Sequence, residues 1–161
     1  MPGQENNRSI LSEPHAIIVG FGVPGRFIGE LLDFRGMPYV VIESNPVVAE
    51  RCTIVPIILG DARLEETLQR AGIEHATLLA LTPPMETVVH EVITAARRLR
   101  TDLRIVARVN YTSAALKAQQ LGADEVVVGE QLIAREFFRL IESHLVHHHV
   151  PSSALSNSQQ R

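Results

Sequence analysis

An apolar run, a glycine-rich turn and an amphipathic segment follow one another in residues 15–32, and they constrain the fold more than any other part of the chain. Ala16 to Val19 is apolar and contains β-branched residues, which is typical of a strand covered on both faces of a parallel sheet. The turn after it reads Gly20-x-Gly22-x-x-Gly25. The sequence therefore predicts a strand, a tight turn and a helix in immediate succession.

Each glycine of this turn has its own expected role. Gly20 permits the turn, Gly22 lets a pyrophosphate approach the backbone, and Gly25 lets the helix lie close to the strand. Pro24 suits the first helical turn, whose free N–H groups and positive dipole end attract anions. A glycine turn without any ligand is the alternative. The predicted phosphate site consists of Gly20, Phe21, Gly22, Val23, Pro24, Gly25 and Arg26.

A second apolar strand, Tyr39 to Glu43, ends in a carboxylate. It follows the glycine motif by about 20 residues, which is the sequence spacing typical of a dinucleotide site. Glu43 is expected to accept hydrogen bonds from both ribose hydroxyls and to repel a 2′-phosphate. Ser44 joins the predicted site, and residues 44–46 offer no arginine for a 2′-phosphate. These residues favour NAD(H) or AMP/ATP over NADP, with a solvated glutamate at a strand end as the alternative.

The rest of the chain alternates between short apolar runs and helical periodicity, with Phe27, Ile28, Leu31 and Leu32 on one expected helical face and Ser113 as an expected helix cap. The pattern predicts an α/β protein with a Rossmann-type, doubly wound, parallel six-stranded sheet in a single domain. The predicted strands are 16–19, 39–43, 54–59, 77–82, 104–109 and 125–128. The first predicted helix ends before Gly36, and the others span 46–51, 64–71, 85–99, 113–121 and about 131–145. Asn45 and Pro46 suit the N-cap and first position of the second helix, and Gly72 and Gly122 follow the ends of the third and fifth.

Further candidate ligand residues lie at or near the carboxyl ends of other predicted strands. In Gly60-Asp61-Ala62, Asp61 is expected to accept from an adenine amino group, to cap the helix that follows, or both. Thr82 is a candidate for ribose or phosphate, or a turn residue before Pro83. Arg108 is expected to pair with a phosphate or with a carboxylate such as Glu43.

Composition excludes several classes of function. The chain has 161 residues, 45% of them hydrophobic, and a formal net charge of −3, so we expect one domain and no nucleic-acid partner. The group Arg97, Arg98 and Arg100 is interpreted as a solvated helix end. Four histidines, 144 and 147–149, lack accompanying carboxylates or cysteines at ligand spacing, so no metal site is predicted. No nucleophile motif is present, and catalytic residues are not expected.

Taken together, the motifs resemble the nucleotide-binding domains of the TrkA N-terminal, or RCK (regulator of potassium conductance), family. The resemblance covers about residues 15–145 and looks especially close to the domains of Kef- and YbaL-type cation:proton antiporters. It rests on Ile17–Gly29, Val41–Pro46, Gly60-Asp61-Ala62, Ile105–Asn110, Leu121–Val126 and Val127–Phe137.

This resemblance implies a cytoplasmic, dimeric domain that binds NAD(H), AMP or ATP and regulates a membrane-embedded potassium channel or cation transporter at the inner face of a bacterial membrane. The regulated protein is expected either as part of the same polypeptide (in cis) or as a separate subunit (in trans), because no membrane-spanning run and no second lobe follow in this sequence. Residues 1–14 are expected to form a flexible lead-in or linker and residues 146–161 a disordered tail.

A small NAD-dependent oxidoreductase, or a cofactor domain detached from one, is the alternative function. Such an enzyme needs groups that position a substrate over the nicotinamide and usually a second lobe. After the sixth predicted strand this sequence has one helix and a polar tail. The helix carries more apolar residues than one buried stripe needs, which predicts dimerisation through it. We therefore favour a regulatory domain without enzymatic activity.

Overall fold

The structure is a computed structural model that describes residues 11–52 and 55–147. In this part of the chain strands and helices alternate, as predicted. The strands are β1 His15–Val19, β2 Tyr39–Glu43, β3 Ile57–Leu59, β4 Ala76–Leu81, β5 Arg104–Val109 and β6 Glu125–Val128. The helices are α1 Val23–Phe34, α2 Pro46–Arg51, α3 Glu65–Arg70, α4 Glu86–Leu99, α5 Thr112–Leu121 and α6 Gly129–His147.

All six strands form one sheet in the order β3-β2-β1-β4-β5-β6. Every neighbouring pair is parallel. The direction in which strands are added reverses between β1 and β4, and ligands of open α/β sheets bind beyond the carboxyl ends of the strands at such a reversal. The predicted Rossmann-type sheet is confirmed, and its topology places the crevice directly after Val19 and Leu81.

The central strand β1 separates two hydrophobic clusters. Ile17 and Val19 belong to the larger cluster, whereas Ala16 and Ile18 belong to the smaller one. Because successive side chains of a strand point to opposite faces, a strand covered on both faces needs apolar residues at every position. This explains the uninterrupted apolar run that the sequence shows here.

The buried face of α1 differs from the expected one. Phe27 is 66% exposed and Leu31 54% exposed, and the helix buries Gly25, Gly29 and Leu32 instead. A Cβ atom at Gly29 would lie 2.9 Å from the Tyr39 hydroxyl oxygen. The two glycines thus let α1 approach the sheet closely, and this approach decides which face is inward.

Several local predictions are also corrected. The third strand begins at Ile57 and not at residue 54, which lies outside the described residues. Ser113 does not cap α5, because the helix starts at Thr112 without a side-chain cap. In its place, the Glu86 carboxylate accepts hydrogen bonds from the N–H groups of Asn110 and Tyr111, both at 3.1 Å.

The predicted helix signals around α1, α2, α3 and α5 are confirmed. The Asn45 side chain accepts a hydrogen bond from the Val47 N–H at 3.0 Å, and Pro46 occupies the first helical turn. Gly36, Gly72 and Gly122 all have positive φ angles at helix ends. This conformation costs glycine no Cβ clash, so these sequence signals are reliable.

The chain divides into two compact units, one up to Gly129 and one from Glu130 onward. The predicted limits 15–145 stay a prediction. Most of the predicted lead-in and tail, and with them His148 and His149, lie outside the described residues, although Leu11 is half-buried against the larger hydrophobic cluster. Within the described segments no helix is long and apolar enough to cross a bilayer.

Candidate functional site

A cleft of about 500 Å³ lies beyond the carboxyl ends of the central strands. The structure brings most of the predicted ligand residues together around it. Polar and charged groups line it next to apolar ones, as is typical of small-molecule sites. The predicted residues that line it are Gly20, Gly22, Val23, Pro24, Glu43, Ser44, Gly60, Asp61, Ala62, Thr82 and Arg108.

The glycine turn is held rigidly at the floor of this cleft. Gly20 has a φ of +86° and donates its N–H to the Ile42 carbonyl oxygen at 2.9 Å. A Cβ atom on Gly25 would lie 2.1 Å from the Gly20 carbonyl oxygen, closer than any real contact allows. Glycine at 20 permits the turn and glycine at 25 permits the close helix, as the sequence predicts.

Gly22 is different, because a Cβ atom there would meet no protein atom within 4 Å. The space that a side chain would fill belongs to the cleft. Gly22 is also the N-cap of α1, which has no side-chain cap and no acidic residue in its first turn. Free N–H groups at an uncapped helix end, next to open space, fit a phosphate group.

Glu43 is buried, with 9% of its surface exposed, so the alternative of a solvated strand-end glutamate is wrong. Its Oε2 atom accepts a hydrogen bond from the Phe21 N–H at 2.8 Å, and its Oε1 atom accepts one from the Asn45 N–H at 2.8 Å. Each carboxylate oxygen keeps a further lone pair. The side chain therefore ties the glycine turn to the start of α2 and still has acceptor capacity for ribose hydroxyls.

Thr82 ties the neighbouring strand to the same turn. Its hydroxyl lies 2.9 Å from the Val19 carbonyl oxygen and 3.1 Å from that of Gly20, and it donates to this pair of acceptors. The side chain is 6% exposed. Thr82 thus fixes the carboxyl end of β1 against β4, and its oxygen, which donates its proton to these carbonyl groups, keeps its own lone pairs as acceptors.

Asp61 does not cap a helix that starts at residue 62, because α3 begins at Glu65 with Leu64 as its N-cap. Its carboxylate instead accepts from the backbone N–H of Arg63 at 2.9 Å and forms an ion pair with the Arg63 guanidinium at 2.7 Å. These hydrogen bonds from Arg63 hold the pKa of Asp61 below its ordinary value. Asp61 remains ionised at the rim of the cleft.

Arg108 does not pair with Glu43. Its Nη2 atom donates to the Asn110 Oδ1 atom at 3.1 Å. The Asn110 amide nitrogen in turn donates to the Pro84 carbonyl oxygen at 2.7 Å. The Arg108 side chain is therefore placed at the cleft by the loop after β4 and not by a carboxylate.

Comparison with known proteins identifies the family. Residues 16–129 match the TrkA-N domain family. The chain belongs to this family. It is 37% identical over 131 residues to YbaL of Escherichia coli strain K12, a cation/proton antiporter by name, covering 80% of this chain and 24% of YbaL. It is 32% identical over 118 residues to a potassium channel protein of Methanocaldococcus jannaschii, covering 70% of this chain and 34% of that protein.

Solved structures agree with this assignment. The TrkA-N domain of Escherichia coli YbaL has a TM-score of 0.74 at 36% identity, covering 79% of this chain and 96% of that domain. GsuK bound to ADP has a TM-score of 0.73 at 28% identity, covering 86% of this chain and 36% of GsuK. The chain thus spans a minor part of the full-length relatives and nearly all of the isolated domain.

Two predicted residues of this TrkA-N domain lie around a different cavity. Phe21 is 8% exposed in the smaller hydrophobic cluster, and the Arg26 guanidinium lies 5.7 Å from the centre of its ring. Both line a second cavity with Tyr39, where burial, together with the hydrogen-bonded carboxylate of Asp33, raises the tyrosine pKa to about 12. The side chains of Phe21 and Arg26 therefore do not line the cleft, although the Phe21 N–H organises it.

The sequence prediction missed one wall of the TrkA-N cleft. Pro83 and Pro84 follow Thr82 in the loop after β4, Met85 is the N-cap of α4, and Val88 lies in its first turn. The rule that ligands bind beyond carboxyl strand ends, applied to β4 as it was to β1, could have found them. Within the described residues no cluster of three or more histidine, cysteine, aspartate or glutamate side chains could hold a metal ion.

Proposed function

We propose that this TrkA-N domain binds an adenine nucleotide with free ribose hydroxyls and thereby regulates a membrane cation transporter. The observation that carries the proposal is the position of the buried Glu43 carboxylate, fixed by the N–H groups of Phe21 and Asn45 beside the uncapped start of α1. A ribose acceptor next to a phosphate site is the arrangement that an adenosine phosphate requires.

Ligands that share this portion are NAD(H), AMP, ADP and ATP, and we propose that NADP(H) is excluded. A 2′-phosphate would bring negative charge against Glu43 and remove a hydroxyl donor. Losing these hydrogen bonds corresponds to a factor of about ten to a hundred in affinity. GsuK, which is 28% identical to this chain, has been solved with ADP bound and supports this ligand class.

The regulated partner is a potassium channel, a potassium uptake system or a cation:proton antiporter, located in cis or in trans. The names of the relatives from Escherichia coli and Methanocaldococcus jannaschii support this proposal. We propose a cytoplasmic position for the domain, at the inner face of the cell membrane. A ligand regulates the partner only through a difference in its affinity for two conformations of the domain.

A regulatory role agrees better with the cleft than hydride transfer does. Among the described residues, the cleft is lined by no histidine, cysteine, tyrosine or lysine that would exchange a proton with a carbonyl substrate. We therefore propose stoichiometric binding without turnover. Steady oxidation of NADH in the presence of simple aldehydes or ketones, lost on substitution of Gly22, would favour the oxidoreductase alternative.

The domain is further proposed to dimerise through α6. A dimer would cover the apolar side chains of this helix, since contiguous apolar surface on a soluble protein marks an interaction site. They are Leu132, Ile133, Phe137, Phe138, Leu140, Ile141, Leu145 and Val146, each of which is more than half exposed.

Sedimentation velocity at tens of micromolar protein tests the dimer. We expect a dimer for the wild type with nucleotide present, and a monomer for the double substitution Phe138→Glu and Ile141→Glu. Arg135→Glu, which reverses a charge on the same helix without removing apolar surface, serves as the matched control and should remain dimeric. A wild-type monomer would contradict the proposal.

Calorimetric titration of NADH, AMP, ADP and NADPH tests the ligand class. We expect one site per chain, with NADPH weakest by about tenfold or more. Tighter binding of NADPH than of NADH would show that the assignment of Glu43 to the ribose is wrong. Absence of binding by all four would contradict the proposed function itself.

A further inference from the structure

The two ends of the cleft differ in charge. Glu43 and Asp61 line it at the carboxyl ends of β2 and β3, whereas Arg108 lines it near the carboxyl end of β5. Within the described residues, Arg108 is the only lysine or arginine that lines this cleft. A ligand that carries negative charge along its length is therefore oriented with its phosphates toward β5.

Strand pairing fixes the distance between Arg108 and the glycine turn. Val19 of β1 pairs with Leu81 of β4, and Leu81 pairs with Ala107 of β5. Gly20, Thr82 and Arg108 follow directly after these residues, and they therefore lie at the same level across three strands. Adjacent strands are about 4.8 Å apart, so the backbone at Arg108 is about 10 Å from that at Gly20. This separation leaves room for more than one phosphate group along the cleft.

Arg108 forms no ion pair with a carboxylate of residues 11–52 or 55–129. The hydrogen bond of its guanidinium goes to the neutral Asn110 side chain at 3.1 Å. A guanidinium has five N–H donors and suits phosphate oxygens. Asn110 is itself held by Pro84 and Glu86, so Arg108 is anchored at the cleft.

We infer that Arg108 binds the phosphates beyond the one held at the start of α1, so that the cleft selects nucleoside diphosphates and triphosphates. This inference rests on the proposed nucleotide function and names the ligand within that class. AMP has no further phosphate for Arg108 to bind. ADP and ATP have a terminal phosphate that carries more negative charge than either phosphate of a dinucleotide.

Dinucleotides have no terminal phosphate for Arg108 to bind. Each of their two phosphates is esterified to one riboside and joined to the other phosphate, so each carries one negative charge, and the nicotinamide riboside extends beyond them toward β4 and β5. In the oxidised form this ring carries a positive charge, which a nearby guanidinium repels, whereas the reduced ring is neutral. The expected order of affinity is therefore ADP and ATP, then NADH, then NAD⁺.

Titration of AMP, ADP and ATP into the full chain, in a buffer with a metal chelator, tests this inference. We expect ADP and ATP to bind wild type about ten- to a hundredfold more tightly than AMP, as charged hydrogen bonds to a phosphate predict. Arg108→Gln should reduce this ratio to within about threefold while AMP affinity stays unchanged, and Arg108→Lys should restore part of it.

Arg104→Gln provides the matched control. Arg104 lies on the same strand, β5, but forms an exposed ion pair with Glu125 away from the cleft. Removing its charge should leave the ratio of ADP to AMP affinity unchanged, and thermal unfolding of each variant verifies folding. Equal affinities for AMP, ADP and ATP in wild type, or an equal effect of both substitutions, would overturn the inference about Arg108. If none of the nucleotides binds, the proposed function fails as well.

Discussion

The two halves of the cleft are built differently. In the half beyond β2, both oxygens of Glu43 already accept hydrogen bonds from backbone N–H groups, and the side chain is buried. In the half at the carboxyl end of β5, the Arg108 side chain bonds Asn110, and apolar residues such as Pro83 and Met85 form the wall. One half presents an acceptor that backbone N–H groups hold in place, and the other presents a cation that no carboxylate of residues 11–52 or 55–129 pairs with.

This difference shows how one cleft can recognise a constant and a variable part of its ligand. A buried, hydrogen-bonded acceptor loses little entropy when a ligand arrives, so its half is suited to the invariant adenosine. A guanidinium with five N–H donors at the cleft gains further partners from the ligand, and its contribution depends on how much negative charge the ligand supplies. We expect the Glu43 half to set which nucleosides bind and the Arg108 half to set how tightly each phosphorylated form binds.

The largest expected effect on nucleotide binding comes from a side chain at Gly22, which would block the cleft at the start of α1. Gly22→Val should abolish binding of all adenine nucleotides, because its side chain would fill the space beside the start of α1. Stability should change by no more than about 1 kcal/mol, since the added Cβ meets no protein atom within 4 Å. Calorimetry and thermal unfolding measure both quantities.

Gly25→Ala is the matched comparison for this prediction. Its Cβ atom would lie 2.1 Å from the Gly20 carbonyl oxygen, so the backbone must shift and the free energy of unfolding should fall substantially. Substantial nucleotide binding by Gly22→Val, or greater destabilisation by it than by Gly25→Ala, would contradict the assignment of the open space to a phosphate.

The next effect concerns the adenosine half alone. Glu43→Ala should weaken AMP, ADP and NADH by a similar factor of about ten to a hundred, because all three present the same ribose. It should also destabilise the fold by about 1–3 kcal/mol, since the N–H groups of Phe21 and Asn45 lose their acceptor. A loss confined to one ligand, or no loss at all, would argue against separate roles for the two halves.

A smaller effect is expected from Thr82, whose hydroxyl supports the glycine turn that both halves of the cleft adjoin. Thr82→Val keeps the shape of the side chain and removes the hydroxyl that bonds the carbonyl oxygens of Val19 and Gly20. We expect a loss of about 1 kcal/mol, or a fall of about 2–4 °C in Tm, with a modest and equal decrease in affinity for AMP and ADP. A decrease for ADP alone would assign Thr82 to the phosphate half.

The smallest expected effect is at the rim. Both oxygens of Asp61 are engaged by Arg63, and the carboxylate is partly exposed. Asp61→Ala should therefore change nucleotide affinity by less than about threefold, because few of its acceptor positions face the ligand. A loss of tenfold or more would instead support the predicted hydrogen bond from the adenine amino group to Asp61.

Local signals were sufficient for much of this fold. Strand β1, the glycine turn, the Asn45 cap and the glycines after α1, α3 and α5 all depend on backbone conformation or on the alternation of apolar residues. Long-range contacts were not predictable in the same way. Arg97, expected at a solvated helix end, donates hydrogen bonds to the carbonyl oxygens of Leu103 and Gly122 and forms an ion pair with Asp124.

The sequence by itself determined the order of strands and helices, the parallel sheet and the residues that follow each carboxyl strand end, because these depend on periodicity and on the right-handedness of crossovers. Only the tertiary structure decided that Glu43 bonds Phe21 and Asn45, that Phe21 and Arg26 turn to another cavity, and that Arg108 pairs with Asn110. Which of several possible partners a side chain bonds, whether near or far in the chain, is decided by packing geometry at a distance of a few ångströms, which no local pattern encodes.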